Sequence, residues 1–375
     1  MLSVFSAPSR YVQGKDATEA LGEEMRKLGL TGTALVLAGR APAELLSEAW
    51  TRTLGDAGID HALYRFGGEC SRPEVDSAKE AAVAASATVV VGAGGGKVLD
   101  TARAVASELE LPVVNCPTIA SSDSPCSALS VVYTPEGEFA EYVFYPRDPD
   151  LVLVDTAVVA RAPLRLLVAG LGDALATWFE ARTVIEARSP NQLGGATTIA
   201  AGALAELCCD TLLEDGVAAC RAVEARSVTP ALERIVEANT LLSGLGFESG
   251  GLAVAHSVHN GLTELRQTHS FLHGEKVSFG LLVQLVLEGK PTAEIERVLR
   301  FQTDVGLPVT LEQVGVKKPS DEDVGQIAQR TVAEDETAHH EPFEVTAAKV
   351  FDAVRAADAI GRAWRTHAGR VSAAT

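Results

Sequence analysis

The stretch ATVVVGAGGGKVLDTARAVA, residues 87–106, passes from β-branched residues through a run of glycines directly into a helical pattern. Its first part has strand character, and VLDTARAVA spaces its apolar residues as a helix does. Gly94, Gly95 and Gly96 leave no side chain between the backbone N–H groups and an approaching anion, and the following helix presents its positive N-terminal end. A pyrophosphate fits such a turn. The spacing is not the GxGxxG fingerprint, so taken alone the segment is equally well a plain tight turn. Its place favours a ligand, because parallel sheets bind ligands at the carboxyl ends of their strands.

Outward from this segment the chain divides by texture. Short β-rich runs, TALVLAG (33–39), PVVNCPT (112–118), SVVYT (130–134) and LVLVD (151–155), alternate with helical stretches, as a mostly parallel sheet flanked by helices requires. After Pro163 the strands disappear. Apolar residues then recur at helical spacing to the C-terminus, with breaks at SVTP (227–230) and GLGFESGG (244–251) and a frayed tail over 366–375. The expected organisation is an α/β nucleotide-binding domain over residues 1–160 and an all-helical domain over 161–375.

Composition narrows the function classes. The chain has 375 residues, 47% of them hydrophobic and 22% charged, enough for a large core in more than one domain. A net charge of −18 without any compensating basic run argues against nucleic acid and anionic membrane surfaces as partners. No apolar stretch reaches spanning length and the N-terminus lacks a signal-peptide pattern, so a cytoplasmic protein with no membrane partner is expected. Six cysteines without CxxC spacing are read as buried, reduced thiols.

The segment AVAHSVHNGLTELRQTHSFLHGEK, residues 253–276, holds His256, His259, His269 and His273. AVAHSVHNG is helical in pattern, which sets His256 and His259 on neighbouring positions of one face. Neutral imidazoles suit zinc or ferrous iron, and a catalytic site needs three protein ligands with one position open. Asp173 in VAGLGDALATWFEA is the candidate anionic ligand, placed near a helix start by Gly170 and Gly172. Singly, Asp173 reads as a cap and each histidine as an ordinary hydrogen-bonding residue; together they read as a metal site. His339 and His340, in the acidic segment AEDETAHHEPF, are read as solvated.

Taken in order, GGGKVLDTARAV, PTIASSDSPCSALSVVYTPEGEF, GLGDALATWFEA, AHSVHNG and FLHGEKVSFG resemble the glycerol dehydrogenases of the iron-containing (group III) alcohol dehydrogenase superfamily, over nearly the whole chain. The resemblance implies a metal held by Asp173, His256 and His273, with His259 and His269 outside the ligand set. Iron-dependent relatives carry a further histidine four residues after the aspartate. Thr177 stands there, which favours zinc over Fe2+. The resemblance also places Gly94, Gly95, Gly96, Lys97 and Asp100 at the pyrophosphate of a nicotinamide cofactor and nearby groups. Thr118, Ser121, Ser127, Leu129 and Tyr133 match further positions of the cofactor cleft, and Asp123 a residue that hydrogen-bonds a polyol substrate. Without the resemblance, Asp123 in SSDSP reads as a turn aspartate. One departure concerns the cofactor: Gly39 stands where the family has the acid that holds the adenosine ribose, which leaves NADP open beside NAD. Arg40 after it would either accommodate a 2′-phosphate or lie in solvent.

The activity so implied is hydride transfer between glycerol, or a similar small vicinal diol, and NAD(P), giving dihydroxyacetone. Substrate and cofactor are expected to meet between the two domains, in a homo-oligomer that the resemblance makes an octamer. The alternative is an NADP-dependent reductase of 2-oxo acids or other small carbonyl compounds on the same scaffold. A lyase similar to dehydroquinate synthase would need a denser basic set for a phosphorylated substrate; against a non-catalytic, metal-stabilised nucleotide-binding protein or assembly subunit, the three metal-site residues and the phosphate turn are intact and nothing in the chain suggests lost activity.

Overall fold

The computed structural model describes residues 1–372. Six strands, β1 (Tyr11–Gly14), β2 (Thr33–Ala38), β3 (Asp60–Arg65), β4 (Val89–Gly94), β5 (Val113–Pro117) and β8 (Leu151–Asp155), form one sheet in the order β1-β8-β5-β4-β2-β3. Every pairing in it is parallel. The remaining two, β6 (Leu129–Tyr133) and β7 (Phe139–Phe144), pair antiparallel.

Continuous apolar runs in the central strands follow from burial on both faces. Val89, Val91 and Ala93 of β4 pack with Leu21, Trp50 and Leu54 in one core cluster. Val90, between them, packs with Val75, Val98 and Val105 in the other. β1, β3 and β7 lie outside the runs that mark strands in the sequence. β1 is a half-buried YVQG, and β3, DHALYR, is a sheet-edge strand of exposed and half-buried residues, so neither carries an unbroken apolar run.

After β8 no strand occurs among the described residues. Two expected interruptions are helical. GLGFESG lies inside the Ser243–Gly250 helix, where Gly246 packs against Thr177 and Ala205 rather than breaking the chain direction. The expected tail is helical to Ser372, and residues 373–375 lie outside the described residues. SVTP does separate two helices, Ile199–Glu224 and Pro230–Glu237, and the Thr229 side chain caps the second.

By internal contacts the chain forms two units. One holds Ser6–Leu167 with Arg221–Gly244, and the other Met1–Phe5, Val168–Cys220 and Leu245–Thr375. The expected single boundary at 160/161 thus meets a division in which the helical segment 221–244 joins the sheet and the first five residues join the helices. All six cysteines are buried thiols. Burial pushes the Cys70, Cys116 and Cys209 thiols up to about 12.

Candidate active site

Asp173, His256 and His273 come from three helices of one unit: Leu164–Ala187, Val254–Thr263 and His273–Leu287. Asp173 lies well inside its helix, not near its start. Gly170 and Gly172 are interior residues, and what Gly172 allows is close approach. A Cβ there would lie 2.4 Å from the Gly274 carbonyl oxygen, and one on Gly274 would lie 1.8 Å from that of Ala169. The two helices therefore touch backbone to backbone beside Asp173 and His273. A similar contact, Gly280 against the Ala255 carbonyl, brings in the helix that carries His256.

Asp173 is fully buried, and its Oδ1 lies 2.9 Å from His273 Nε2 and 3.5 Å from His256 Nε2. One ligand atom from each of the three residues falls within 4.8 Å of the others, a carboxylate oxygen and two imidazole nitrogens suited to a divalent metal. Burial works against charge on Asp173, but the adjacent His273 and His256 prevail and hold its carboxyl below the usual carboxylate range. Burial likewise opposes charge on His256, and Glu180 and Asp173 overcome it and raise its pKa. Two buried carboxylates thus face one imidazole, a setting that favours a cation.

Both histidines are held from behind. Glu180 Oε2 accepts from His256 Nδ1 at 2.6 Å, while its Oε1 accepts the backbone N–H groups of Ala253 and His256 at 2.9 and 3.1 Å. His256 is thereby left to present Nε2 inward. His273 Nδ1 lies 3.0 Å from His259 Nε2, and His259 Nδ1 lies 3.0 Å from Asn260 Oδ1. Asn260 donates Nδ2–H to the Glu336 carboxylate at 2.9 Å, so its oxygen must accept from His259. Burial, with His273 next, keeps His259 neutral. His259 then carries its proton on Nδ1 and accepts from His273 Nδ1–H, which turns His273 Nε2 toward Asp173. The sequence reading passed over Glu180 and Glu336. For Glu180 a signal existed: it follows Asp173 by seven residues, two helical turns, and so shares its face in an apolar helix.

In the other unit the glycine turn joins β4 to the Gly96–Glu108 helix. Gly95 is its N-cap, with no side-chain cap, and a Cβ at Gly94 or Gly95 would meet Val98 at 2.6 Å or Ile119 at 2.8 Å. From β2 the chain runs out to β3 and returns across β2 to β4, so the sheet order reverses between β2 and β4. Gly39, just after β2, donates its N–H to Ala93 of β4 at 3.4 Å. Gly39 and the glycine turn thus lie together at the carboxyl end of the sheet where its winding changes direction, the usual place for a dinucleotide.

The family of iron-containing alcohol dehydrogenases matches residues 8–156. A glycerol dehydrogenase of Thermotoga maritima is 52% identical over 96% of this chain and 98% of its own. The chain belongs to the iron-containing alcohol dehydrogenase family. A glycolaldehyde reductase of Halobacterium salinarum is 49% identical over 96% of this chain and 99% of its own. A probable glycerol dehydrogenase from Sinorhizobium meliloti, of known structure, superposes with a TM-score of 0.90 at 43% identity, covering 96% of this chain and 99% of that one.

In this iron-containing alcohol dehydrogenase the other residues expected at a cofactor lie as follows. Thr118 donates its N–H to the Gly94 carbonyl at 3.1 Å. Lys97 pairs with Glu69 at 2.5 Å and lies 5.0 Å from the centre of the Tyr133 ring. Leu129 and Tyr133 are half-buried at the two ends of β6, and Ser121 is half-buried in the loop before it. Asp100 and Ser127 are buried; Asp100 pairs with Arg103 and accepts from Ser124, and Ser127 donates to the Ser124 carbonyl. Arg40 is exposed and paired with Glu44 at 3.0 Å. His269 bonds the Thr263 carbonyl, His339 that of Ala333, and His340, half-buried, that of Leu252.

Proposed function

We propose that this enzyme oxidises glycerol, or a similar small vicinal diol, to the ketone, passing the hydride to a nicotinamide cofactor and running the reverse reduction. The observation that carries the proposal is the Asp173–His256–His273 constellation in a chain 52% identical to a glycerol dehydrogenase across nearly its full length. These three residues would hold a divalent metal, which when bound supplies Lewis acidity to the hydroxyl being oxidised. Glu180 and His259 keep both Nε2 atoms aimed at that position. Asp123 accepts a hydrogen bond from a substrate hydroxyl away from the reacting carbon, which a mono-alcohol lacks. The uncapped helix start at Gly95 and Gly96, with Lys97, takes the pyrophosphate.

Zinc is the proposed metal, since Thr177 offers no fourth imidazole. NAD is the proposed cofactor, with NADP use left open by Gly39. We further propose a cytoplasmic homo-oligomer, an octamer by the resemblance.

The test is initial-rate glycerol oxidation with NAD and with NADP, before and after chelation and zinc add-back. Activity lost on chelation and restored by zinc is expected, as is joint loss of metal and turnover in His256→Ala and His273→Ala. Activity retained in metal-free protein would exclude the mechanism. Glycolaldehyde reduction measured beside it covers the second reading, a reductase of small carbonyl compounds, which the Halobacterium relative favours. A kcat/KM far higher for the aldehyde than for glycerol or dihydroxyacetone would make that the function.

A further inference from the structure

Within the sheet unit, residues 120–126 form a loop between β5 and β6 that ends in a 3-10 turn, Ser124–Cys126. Asp123 precedes this turn without capping it by its side chain. Its carboxylate instead takes a hydrogen bond from Ser243, 120 residues later in sequence, at 3.0 Å, and both residues are buried. Ser243 follows a π-helical turn, Ala238–Leu242, of a kind that recurs at functional sites. The same turn contributes Asn239, fully buried, whose Nδ2 donates to the Ala120 carbonyl at 3.0 Å. Gly244 closes the contact: a Cβ there would lie 3.0 Å from the Asp123 carbonyl oxygen and 2.9 Å from Cys126 Cβ.

The loop is also held from the sheet side. Asn115 of β5 donates to the Pro125 carbonyl at 2.9 Å, and Arg103 donates to the Ser124 carbonyl and hydroxyl at 2.6 and 2.8 Å. These bonds fix the backbone on both sides of Asp123. Ser243 holds its carboxylate at Oδ2. A buried carboxylate bonded to a donor on a separate helix is constrained in orientation, and a hydroxyl-recognising group discriminates only when it is held in place.

We infer that Ser243 is a positioning residue for substrate choice, setting the Asp123 carboxylate for a polyol hydroxyl. The inference rests on the proposed polyol role of Asp123 and adds the residue that makes it selective. It also accounts for a fully buried serine in the TLLSGLGF segment.

The experiment compares kcat/KM for glycerol and for 2-propanol in the metal-loaded enzyme carrying Ser243→Ala, Asp123→Asn or both. Asp123→Asn should lower the glycerol-to-2-propanol ratio, and Ser243→Ala should lower it about tenfold, as loss of a hydrogen bond to a charged group predicts. In the double variant the second change should add little, because both act through one carboxylate. A Ser243→Ala variant that loses both substrates equally, or whose effect adds fully to that of Asp123→Asn, overturns the inference while leaving the role of Asp123 standing. An Asp123→Asn variant with an unchanged ratio overturns that role and the inference with it. Turnover of 2-propanol reports in each variant that the fold and metal site persist, so a misfolded variant is recognised by joint loss of turnover and bound zinc. Ser243→Cys, which keeps a weak donor, should fall between serine and alanine.

Discussion

Glu180 accepts the Nδ1 proton of His256 at 2.6 Å, and the neutral His259 plays the same part for His273 at 3.0 Å. A histidine fixed in this way needs no tautomer change to bind a metal, and such outer partners contribute roughly 10–100-fold to metal affinity. Glu180→Gln is expected to weaken zinc binding by that order, measured by chelator competition; unchanged affinity would reduce Glu180 to a packing role. At Gly39 the sequence lacks an acid, and the structure has space for one. A Cβ there would meet Pro42 at 3.6 Å and Val98 at 3.9 Å, both ordinary contacts. Gly39 is also the N-cap of the Arg40–Asp56 helix, a position that welcomes aspartate. Gly39→Asp should therefore fold without penalty and shift the kcat/KM ratio toward NAD. An unchanged ratio would mean that the adenosine ribose is recognised elsewhere.

Helices bring the site together by losing side chains where they cross. GLGD and HGEK each place a glycine beside a ligand, and those two glycines face one another across the crossing. Gly274→Ala puts a methyl group 1.8 Å from the Ala169 carbonyl oxygen, so the Leu164–Ala187 and His273–Leu287 helices must separate. The expected cost is at least about 1–3 kcal/mol of stability together with loss of bound metal. A Gly274→Ala protein that keeps full zinc content and an unchanged melting temperature would show that the crossing is softer than its geometry. The motifs were legible in the sequence, but the reason for their glycines was not. Gly170 and Gly172 suggested a helix start at Asp173, and GLGFESGG a break. In both places the residue is small because another helix passes close by, a cause that local spacing does not record.

For the molecule as a whole, a net charge of −18 makes buried carboxylates costly, and one of them shows how the cost is met. Burial, then the Glu288 and Glu180 charges, push the Glu341 carboxyl up to about 9, with Lys290 opposing. The Glu288 carboxylate beside it accepts from Thr183 and Gln284 at 2.7 Å. An acid whose folded pKa is raised gives its stability in full below the unfolded value and loses it as pH rises through the folded one. The window here runs from the ordinary glutamate range to about pH 9, with a slope of at most about 1.4 kcal/mol per pH unit. Glu341→Gln should melt above the parent at pH 8, with the gap closing toward pH 5. A gap independent of pH would mean that Glu341 is not the titrating group. Among the described residues no helix is long and apolar enough to cross a membrane.

Sequence alone pointed to the parallel sheet, the glycine turn and the helical second part, and the family resemblance singled out Asp173, His256 and His273 as a candidate set. The first three depend on short-range pattern: β-branched runs, glycines before a helix, and apolar residues at helical spacing. Tertiary structure alone decided what those residues do to one another. Glu180 and Glu336 looked like ordinary acids until folding set them behind His256 and Asn260. Ser243 was a plain helix serine until folding placed it 3.0 Å from Asp123. The boundary of the sheet unit likewise follows contacts made by residues 221–244, far along the chain from the strands. A hydrogen bond between residues 120 positions apart leaves no periodicity behind, so only the folded chain reveals it.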